Sequence, residues 1–269
     1  MDLIPPLPSR PAAAPPRSLD GHFIPFAFPG VPHVGCAFTT SLAGSMGLFN
    51  SGVQATGPEP GKDAQPDDPV ANRRRIMARL GITAWAEFHQ VHGTDFIVDP
   101  APTNPAVMPG IDADGGCTRR KETALIIKTA DCQPVLFTNR AGTAIAALHA
   151  GWRGNAMDYP GIGLSRFCEA YDLDPKDVLT VRGPSLGPGA AEFVNFEAEW
   201  PPSFRPWFDE ARRSMDLWSL LRHQLAKAGM RPENIYSLDM CTWSLPELFF
   251  SHRRGHGGRQ ISAIWIKEA

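Results

Sequence analysis

The chain has 269 residues, enough to bury a sizeable core, and nothing in it resembles an internal linker, so we predict one large domain. Its formal net charge of -2 provides no broad basic field, which argues against nucleic acid or an anionic membrane as the principal partner and favours a small molecule. No stretch reaches the roughly 18 apolar residues of a membrane span. Five widely separated cysteines, an odd number, favour reduced thiols in a cytoplasmic protein over a disulfide framework.

The chain begins with a segment unlike the rest. Residues 1–20 are rich in proline and lack a basic stretch followed by an apolar one, which is typical of a disordered arm and not of a signal peptide. We therefore expect the single folded domain to span residues 21–269. Its first strand is predicted at Val34–Thr39, and residues 56–68, rich in Pro, Gly and Asp, indicate a surface loop.

The first helix follows this loop. Asp68 before Pro69 is typical of an N-cap followed by the first helical position, and Gly81 marks the helix end. The run Arg73–Arg75 inside the helix favours a solvated, charged face over a binding patch.

Apolar and β-branched runs predict the remaining strands. They lie at Phe96–Val98, Ala124–Ile127, Val135–Thr138, Thr143–Leu148, Val178–Val181, Ile235–Leu238 and Ile261–Ile266. The turn Asn139–Gly142 joins two of them and indicates a hairpin with antiparallel pairing. Apolar spacing predicts a helix through Leu164–Tyr171 and another capped by Asp216, and the capping-box pattern Ser244–Glu247 predicts a short fourth helix.

Three polar residues suggest a metal site: His92, Cys132 and His149. The last two border strand-like runs, so each is expected where a strand gives way to a loop, which is where open sheets place their chemistry. One thiolate and two imidazoles suit zinc and leave a fourth tetrahedral position for water or substrate. From the residues alone, the alternative is a small buried cysteine and two hydrogen-bonded loop histidines. The carboxylates and glycines of residues 112–116 lack the later ligands of an EF-hand loop, so a calcium loop is rejected.

Short motifs in a fixed order extend along most of the chain. They are Gln90-Val91-His92-Gly93, Asp112-Ala113-Asp114, Thr129-Ala130-Asp131-Cys132-Gln133-Pro134-Val135, His149-Ala150-Gly151-Trp152-Arg153-Gly154, Gly183-Pro184-Ser185-Leu186-Gly187-Pro188, Cys241-Thr242 and Phe249-Phe250-Ser251-His252-Arg253-Arg254. From about Cys36 to Ile266 this set resembles the purine nucleoside phosphorylases formerly called polyphenol oxidases or laccase-domain proteins. Ser41 departs from the pattern, because the family usually has an arginine there.

The resemblance implies an α/β fold, a single-domain layered sandwich of mixed β-sheets flanked by helices. It also implies a catalytic zinc ion held by His92, Cys132 and His149. Members of the family are described as cleaving adenosine, inosine and methylthioadenosine with phosphate and as deaminating adenosine. Purine nucleosides and phosphate are therefore the implied partners.

Each of these reactions makes its own demand on the side chains. Zinc with three protein ligands lowers the pKa of bound water to about 7, and the resulting hydroxide can attack C6 of adenine in deamination. Phosphorolysis needs an anion held against ribose C1′ and a stabilised leaving purine. Arg153, beside a glycine-rich turn before a helix, is our first candidate for phosphate, followed by Arg253 and Arg254; a structural ion pair is the alternative for each. Asp131 is a candidate to orient a ligand or accept a proton.

Three other functions remain open. Copper can occupy a site of this composition, as the former name polyphenol oxidase suggests, but the chain lacks the HxH pairs and HCH cluster of multicopper oxidases. Alternatively, Cys132 is a nucleophile activated by His149 in a cysteine hydrolase that needs no metal. In the third alternative the protein is a binding module and zinc is a structural clasp, that is, an ion that only stabilises the fold; chelation would then unfold the protein.

Overall fold

A computed structural model of the chain describes residues 21–48 and 68–268. The arm expected over residues 1–20, and all but the last residue of the loop expected over 56–68, lie outside the described residues. The strands are β1 (Phe23–Pro25), β2 (Val34–Thr39), β3 (Ala84–Glu87), β4 (Phe96–Val98), β5 (Gly115–Thr118), β6 (Thr123–Thr129), β7 (Gln133–Asn139), β8 (Ile145–Ala150), β9 (Val178–Arg182), β10 (Phe208–Asp209), β11 (Ser214–Met215), β12 (Ile235–Ser237) and β13 (Gln260–Ile266). The α-helices are α1 (Pro69–Leu80), α2 (Trp152–Ala156), α3 (Tyr159–Tyr171), α4 (Phe196–Glu199) and α5 (Leu217–Lys227).

The strands form two mixed sheets and a small separate pair. The first sheet has the order β1-β2-β13-β6-β3, the second has the order β12-β9-β7-β8-β5-β4, and β10 pairs with β11. Strands β7 and β8 are antiparallel, with Val135 opposite Leu148, which confirms the predicted hairpin. Parallel pairs occur at the sheet edges, where β3 joins β6, β12 joins β9 and β4 joins β5.

Alternation along the strands distributes their side chains between layers. In β6, Leu125 and Ile127 face the core between the sheets, whereas Ile126 packs on the side of α1. In β7, Leu136 faces the core between the sheets and Phe137 packs on the side of α3 and α5. Full burial of each such side chain stabilises the fold by about 1.5–3 kcal/mol. The predicted layered α/β sandwich of mixed sheets flanked by helices is confirmed.

Helix α1 has the predicted boundaries, but one of its three arginines predicted to be solvated is buried. Its start is capped by the Asp68 carboxylate, which accepts the Val70 backbone N–H at 2.9 Å. Contrary to the expectation of a solvated run Arg73–Arg75, the Arg73 side chain is fully buried and lies 3.0 Å from Glu87 of β3. The reason is helical spacing, because Arg73 shares the sheet-facing side of the helix with Ile76. Arg74 and Arg75 are exposed as predicted.

The capping-box pattern at residues 244–247 does not start a helix, and that prediction is wrong. The segment forms consecutive turns, in which the N–H groups of Leu248 and Phe249 both donate to the Leu245 carbonyl at 3.1 Å. The Arg254 guanidinium donates to the carbonyl of Phe249 and to two carbonyls upstream. These contacts with a later part of the chain fix a turn where the local pattern favoured a helix.

Candidate metal centre

Two connections that cross from the first sheet to the second meet at one end of the sandwich. His92 lies in the connection from β3 to β4, and Cys132 lies in the short connection from β6 to β7. His149 is the penultimate residue of β8. Because Gln133 at the start of β7 is opposite Ala150 at the end of β8, Cys132 and His149 lie at the same end of the second sheet. Both strand-end positions are confirmed.

The fold brings the three predicted ligands together. Their ligand atoms all lie within 4.8 Å of one another, and Cys132 Sγ is 3.9 Å from His92 Nε2. Ligand atoms on one tetrahedral zinc ion are separated by roughly 3.5 Å, so small side-chain rotations suffice for shared coordination. His149 is buried, Cys132 is half-buried and His92 is exposed, so the group opens to solvent on one side. This group can bind a metal ion and leave a position for a ligand.

Asp114 organises the group, and sequence reasoning did not assign it a role. Its fully buried carboxylate accepts a hydrogen bond from His149 Nδ1 at 2.7 Å, which leaves His149 Nε2 to face the metal position. The same carboxylate accepts the backbone N–H groups of Val91 at 3.2 Å, His92 at 3.0 Å and Gly93 at 2.6 Å. Burial alone would raise the pKa of this carboxyl group, but His149 and the backbone donors outweigh burial and lower it. One carboxylate therefore positions two of the three ligands.

Gly151 leaves room for the ligands. A Cβ atom at this position would lie 3.0 Å from His92 Cδ2 and 3.1 Å from Cys132 Sγ. Any side chain here would press on both ligands, which explains a glycine at the N-cap of α2.

The thiol of Cys132 is ionised readily. Burial opposes ionisation, but the charge of His149 and hydrogen bonds with His149 and His92 outweigh it and lower the pKa of Cys132 to about 6. In the metal-free protein the pKa of His149 is raised, because the thiolate and Asp114 outweigh the effect of burial. The thiolate is the form that binds zinc and also the form that acts as a nucleophile.

Asp131 fastens the Cys132 connection to two distant segments. Its carboxylate accepts hydrogen bonds from Thr242 Oγ1 at 2.7 Å, Ser251 Oγ at 3.0 Å and the Arg253 backbone N–H at 2.8 Å. The backbone of Asp131 adopts a left-handed φ of 87°. These bonds hold a strained residue next to Cys132 and so fix where the thiolate lies.

The three arginines proposed for phosphate have different surroundings. Arg153 does not precede a helix as predicted but lies inside α2, exposed, with its guanidinium 4.4 Å from the ring centre of Trp152. Within residues 21–48 and 68–268 it forms no ion pair. Arg253 donates to the Glu192 carbonyl at 3.0 Å. The two terminal nitrogens of the Arg254 guanidinium donate to three backbone carbonyls.

The chain is similar to a known protein family and to individual proteins. A family model described as multi-copper polyphenol oxidoreductase laccase matches residues 49–267. The chain is 34% identical over 216 residues to purine nucleoside phosphorylase YfiH of Escherichia coli, covering 75% of this chain and 82% of that protein. It is 30% identical over 220 residues to purine nucleoside phosphorylase YlmD of Geobacillus stearothermophilus, covering 75% and 80% respectively.

The fold is shared with solved structures. The crystal structure of YlmD from Geobacillus stearothermophilus superposes with a TM-score of 0.74 at 26% identity, covering 94% of this chain and 99% of that chain. A Neisseria meningitidis protein superposes with a TM-score of 0.69 at 27% identity, covering 92% and 100%. In the part of this chain that the structure describes, no helix has the length and apolar character required to traverse a bilayer.

Proposed function

Because this chain belongs to the multi-copper polyphenol oxidoreductase laccase family, and because its relatives include proteins named purine nucleoside phosphorylase, we propose that it cleaves purine nucleosides with phosphate at a zinc site. The main structural support is the convergence of His92, Cys132 and His149, with Asp114 orienting two of them. Adenosine, inosine and methylthioadenosine are the proposed substrates, and deamination of adenosine is proposed as a second activity.

We propose zinc as the ion of this centre. One thiolate and two imidazole nitrogens suit tetrahedral zinc with an open fourth position, and a carboxylate behind a histidine ligand is a common outer contact of such sites. When bound, zinc would supply a Lewis acid beside the reacting nucleoside. The proposed metal ligands are His92 Nε2, Cys132 Sγ and His149 Nε2.

The remaining side chains bind and position. In this proposal Asp114 keeps the proton of His149 on Nδ1, so that Nε2 is available, and holds the His92 backbone. Asp131 fixes the Cys132 connection through its three hydrogen bonds, and we propose it as a positioning residue. Arg153, exposed and two residues after Gly151, offers a cation to phosphate in this proposal. Arg253 and Arg254 contribute mainly by holding loops against the site.

One experiment tests this function. Purified protein with measured zinc content is incubated with adenosine, inosine and methylthioadenosine, each with and without phosphate, and free base, ribose 1-phosphate and ammonia are followed. We expect base release that requires phosphate and produces an equivalent amount of the sugar phosphate. Ammonia from adenosine without phosphate would support the deaminase activity. The absence of phosphate-dependent base release from all three nucleosides would refute the phosphorylase proposal.

A second candidate function has a specific observation in its favour. Asp114, His149 and Cys132 are connected as an acid, a base and a thiol of lowered pKa, the order found in cysteine hydrolases. This alternative expects activity in the zinc-free protein and complete loss on thiol alkylation. The zinc proposal expects chelation to abolish turnover and added zinc to restore it, so a chelation and reconstitution series separates the two.

A further inference from the structure

We propose that a cavity between the ends of β9 and β12 and the start of α5 binds a free nucleobase, that is, an uncharged planar nitrogen heterocycle. Strand β12 runs parallel to β9, and Ser237 at its end is opposite Arg182 at the end of β9. Crevices outside the carboxyl ends of parallel strands are common ligand sites. The described residues that line this cavity, among them Arg182, Trp218 and Ser237, include no member of the candidate metal centre. The cavity is therefore a second site.

The size and the walls of the cavity suit a small flat molecule. Its volume is about 280 Å³. Sites for drug-sized ligands have volumes of about 300–1,000 Å³, so this cavity matches a single base better than a nucleotide. The rings of Trp218 and Tyr236 and the side chains of Leu221 and Ile235 supply apolar surface. The indole N–H of Trp218 donates to Ser185 Oγ at 2.9 Å, which fixes this aromatic wall before a ligand binds.

An ion pair in the wall presents a donor and an acceptor to the cavity. The Arg182 side chain is 3% exposed, and its guanidinium lies 4.1 Å from the ring centre of Trp218. One terminal nitrogen donates to Oδ1 of Asp239, and the other donates to the Gly183 carbonyl at 3.1 Å and to Ser185 Oγ at 3.0 Å. Among the described residues, Nε of Arg182 and Oδ2 of Asp239 have no hydrogen-bond partner. An N–H donor and a carboxylate acceptor thus remain for a ligand.

The charges of the wall favour a neutral ligand. Arg182 and Arg222 line the cavity together with Asp216 and Asp239, so two positive charges are balanced by two negative charges. Inorganic phosphate would be repelled by the two carboxylates, and an organic cation would be repelled by the two guanidinium groups. Adenine has an amino donor beside a ring-nitrogen acceptor, and hypoxanthine has an N–H donor beside a carbonyl acceptor. Such an edge can donate to Asp239 Oδ2 and accept from Arg182 Nε.

The test is calorimetric titration of adenine into the zinc-loaded protein and into the zinc-free protein. We expect adenine to bind to both forms, because the residues that line the cavity include no proposed zinc ligand. Loss of all adenine binding on removal of zinc would overturn the proposal. Binding of inorganic phosphate or of benzamidine at this cavity, without binding of adenine, would overturn the assignment to a neutral heterocycle.

Two variants assign the binding to this cavity. Asp239→Asn places an NH2 group either towards the ligand donor or towards Arg182, so adenine affinity should fall by about 10- to 100-fold, the loss expected for hydrogen bonds to a charged group. Ser237→Leu adds a larger side chain to the wall and leaves the Arg182–Asp239 pair in place, and we expect it to weaken adenine binding similarly. Circular dichroism checks that each variant is folded.

Asp177→Asn is the matched control, because Asp177 is an exposed aspartate that pairs with Arg140 at 4.0 Å. Its adenine affinity should stay within about twofold of wild type. An equal loss in Asp177→Asn would overturn the proposal, as would wild-type affinity in Asp239→Asn. Weaker binding in Asp239→Asn with wild-type binding in folded Ser237→Leu would mean that Asp239 acts from outside the cavity, and this result would also overturn it.

This inference does not rest on the phosphorylase proposal, and the two can fail separately. If the wild-type protein phosphorolyses nucleosides but adenine binds equally to the wild-type, Asp239→Asn and Ser237→Leu proteins, the function stands and the cavity assignment is wrong. If adenine binding depends on Asp239 and Ser237 but the zinc-loaded protein cleaves no nucleoside, the base site stands and the phosphorylase proposal is wrong.

Discussion

Replacing Asp114 with asparagine tests the proposed organisation of the metal centre. The carboxylate accepts four hydrogen bonds, two on each oxygen: His149 Nδ1 and the His92 N–H on Oδ1, and the Val91 and Gly93 N–H groups on Oδ2. An asparagine of the same shape presents one oxygen and one NH2 group. Wherever the NH2 group lies, it faces two groups that can no longer donate to it.

Both orientations of the asparagine are damaging. An NH2 group in place of Oδ2 leaves the Val91 and Gly93 N–H groups without partners, at about 1–3 kcal/mol each, so the expected loss of stability is about 2–6 kcal/mol. An NH2 group in place of Oδ1 requires the Nδ1 atom of His149 to accept, which moves the ring proton to Nε2 and prevents Nε2 from binding zinc. We expect the zinc affinity to fall by about 10- to 100-fold, as for other outer contacts of metal ligands.

The assay is a zinc titration in competition with a chromophoric chelator, together with urea unfolding of the zinc-free protein. Asp112→Asn is the matched control, because Asp112 pairs with exposed His89 at 2.7 Å in the same short motif. A surface pair contributes about 0–1 kcal/mol, so this control should retain stability and zinc affinity. Wild-type zinc affinity in Asp114→Asn, or an equal loss in Asp112→Asn, would refute the role assigned to Asp114.

Three further predictions concern Gly151, the buried Arg73 and removal of zinc. Gly151→Ala should fold but bind zinc at least about tenfold more weakly, because its Cβ presses on two ligands. In the same zinc titration the control Gly189→Ala should bind zinc normally, because there is open space around Gly189. In urea unfolding, Arg73→Met should lower the free energy of unfolding by about 3 kcal/mol, because it leaves Glu87 buried without its main partner. The control Arg74→Met, at an exposed position, should change the free energy of unfolding by less than about 0.5 kcal/mol. Chelation of zinc should abolish nucleoside cleavage while circular dichroism shows that the fold is retained.

Each of these predictions has an outcome that contradicts it. Normal zinc binding by Gly151→Ala would mean that the ligands do not crowd this glycine. Equal stability of the Arg73→Met and Arg74→Met proteins would mean that the buried pair is not needed. Cooperative loss of circular dichroism on chelation would favour the structural clasp.

The strongly apolar strands could be predicted because local pattern determines them. Apolar runs in β2, β6 and β13 are buried on both faces, so each run stood out without knowledge of its neighbours. Cys132 and His149 border such runs, which predicts their place at strand ends. Whether they would meet His92 depended on the resemblance to a known family, because spacing of tens of residues gives no distance.

Asp114 was missed because its partners are distant in sequence. It precedes β5, whose residues Gly115 and Gly116 give no apolar pattern, so the strand itself was not predicted. The structure shows why both are glycines: a Cβ at Gly115 would lie 2.6 Å from the Ala147 carbonyl oxygen, and one at Gly116 would lie 2.5 Å from the Ile97 carbonyl oxygen. Two glycines in a short segment can therefore indicate a strand in close contact with its neighbours, next to a site.

The architecture also bears on whether the metal is catalytic or structural. Two of the proposed ligands lie on connections between the sheets, so an ion there would join the two layers at one end. That end is already fastened without a metal: Gln90 exchanges hydrogen bonds with the Lys128 backbone at 2.7 and 2.8 Å, and the Asp131 carboxylate accepts from Thr242 and Ser251. Each such bond contributes about 0.5–1.5 kcal/mol, and the core between the sheets adds far more. A structural clasp would be redundant in such a place, which supports the proposal that an ion held there takes part in the chemistry of a bound substrate.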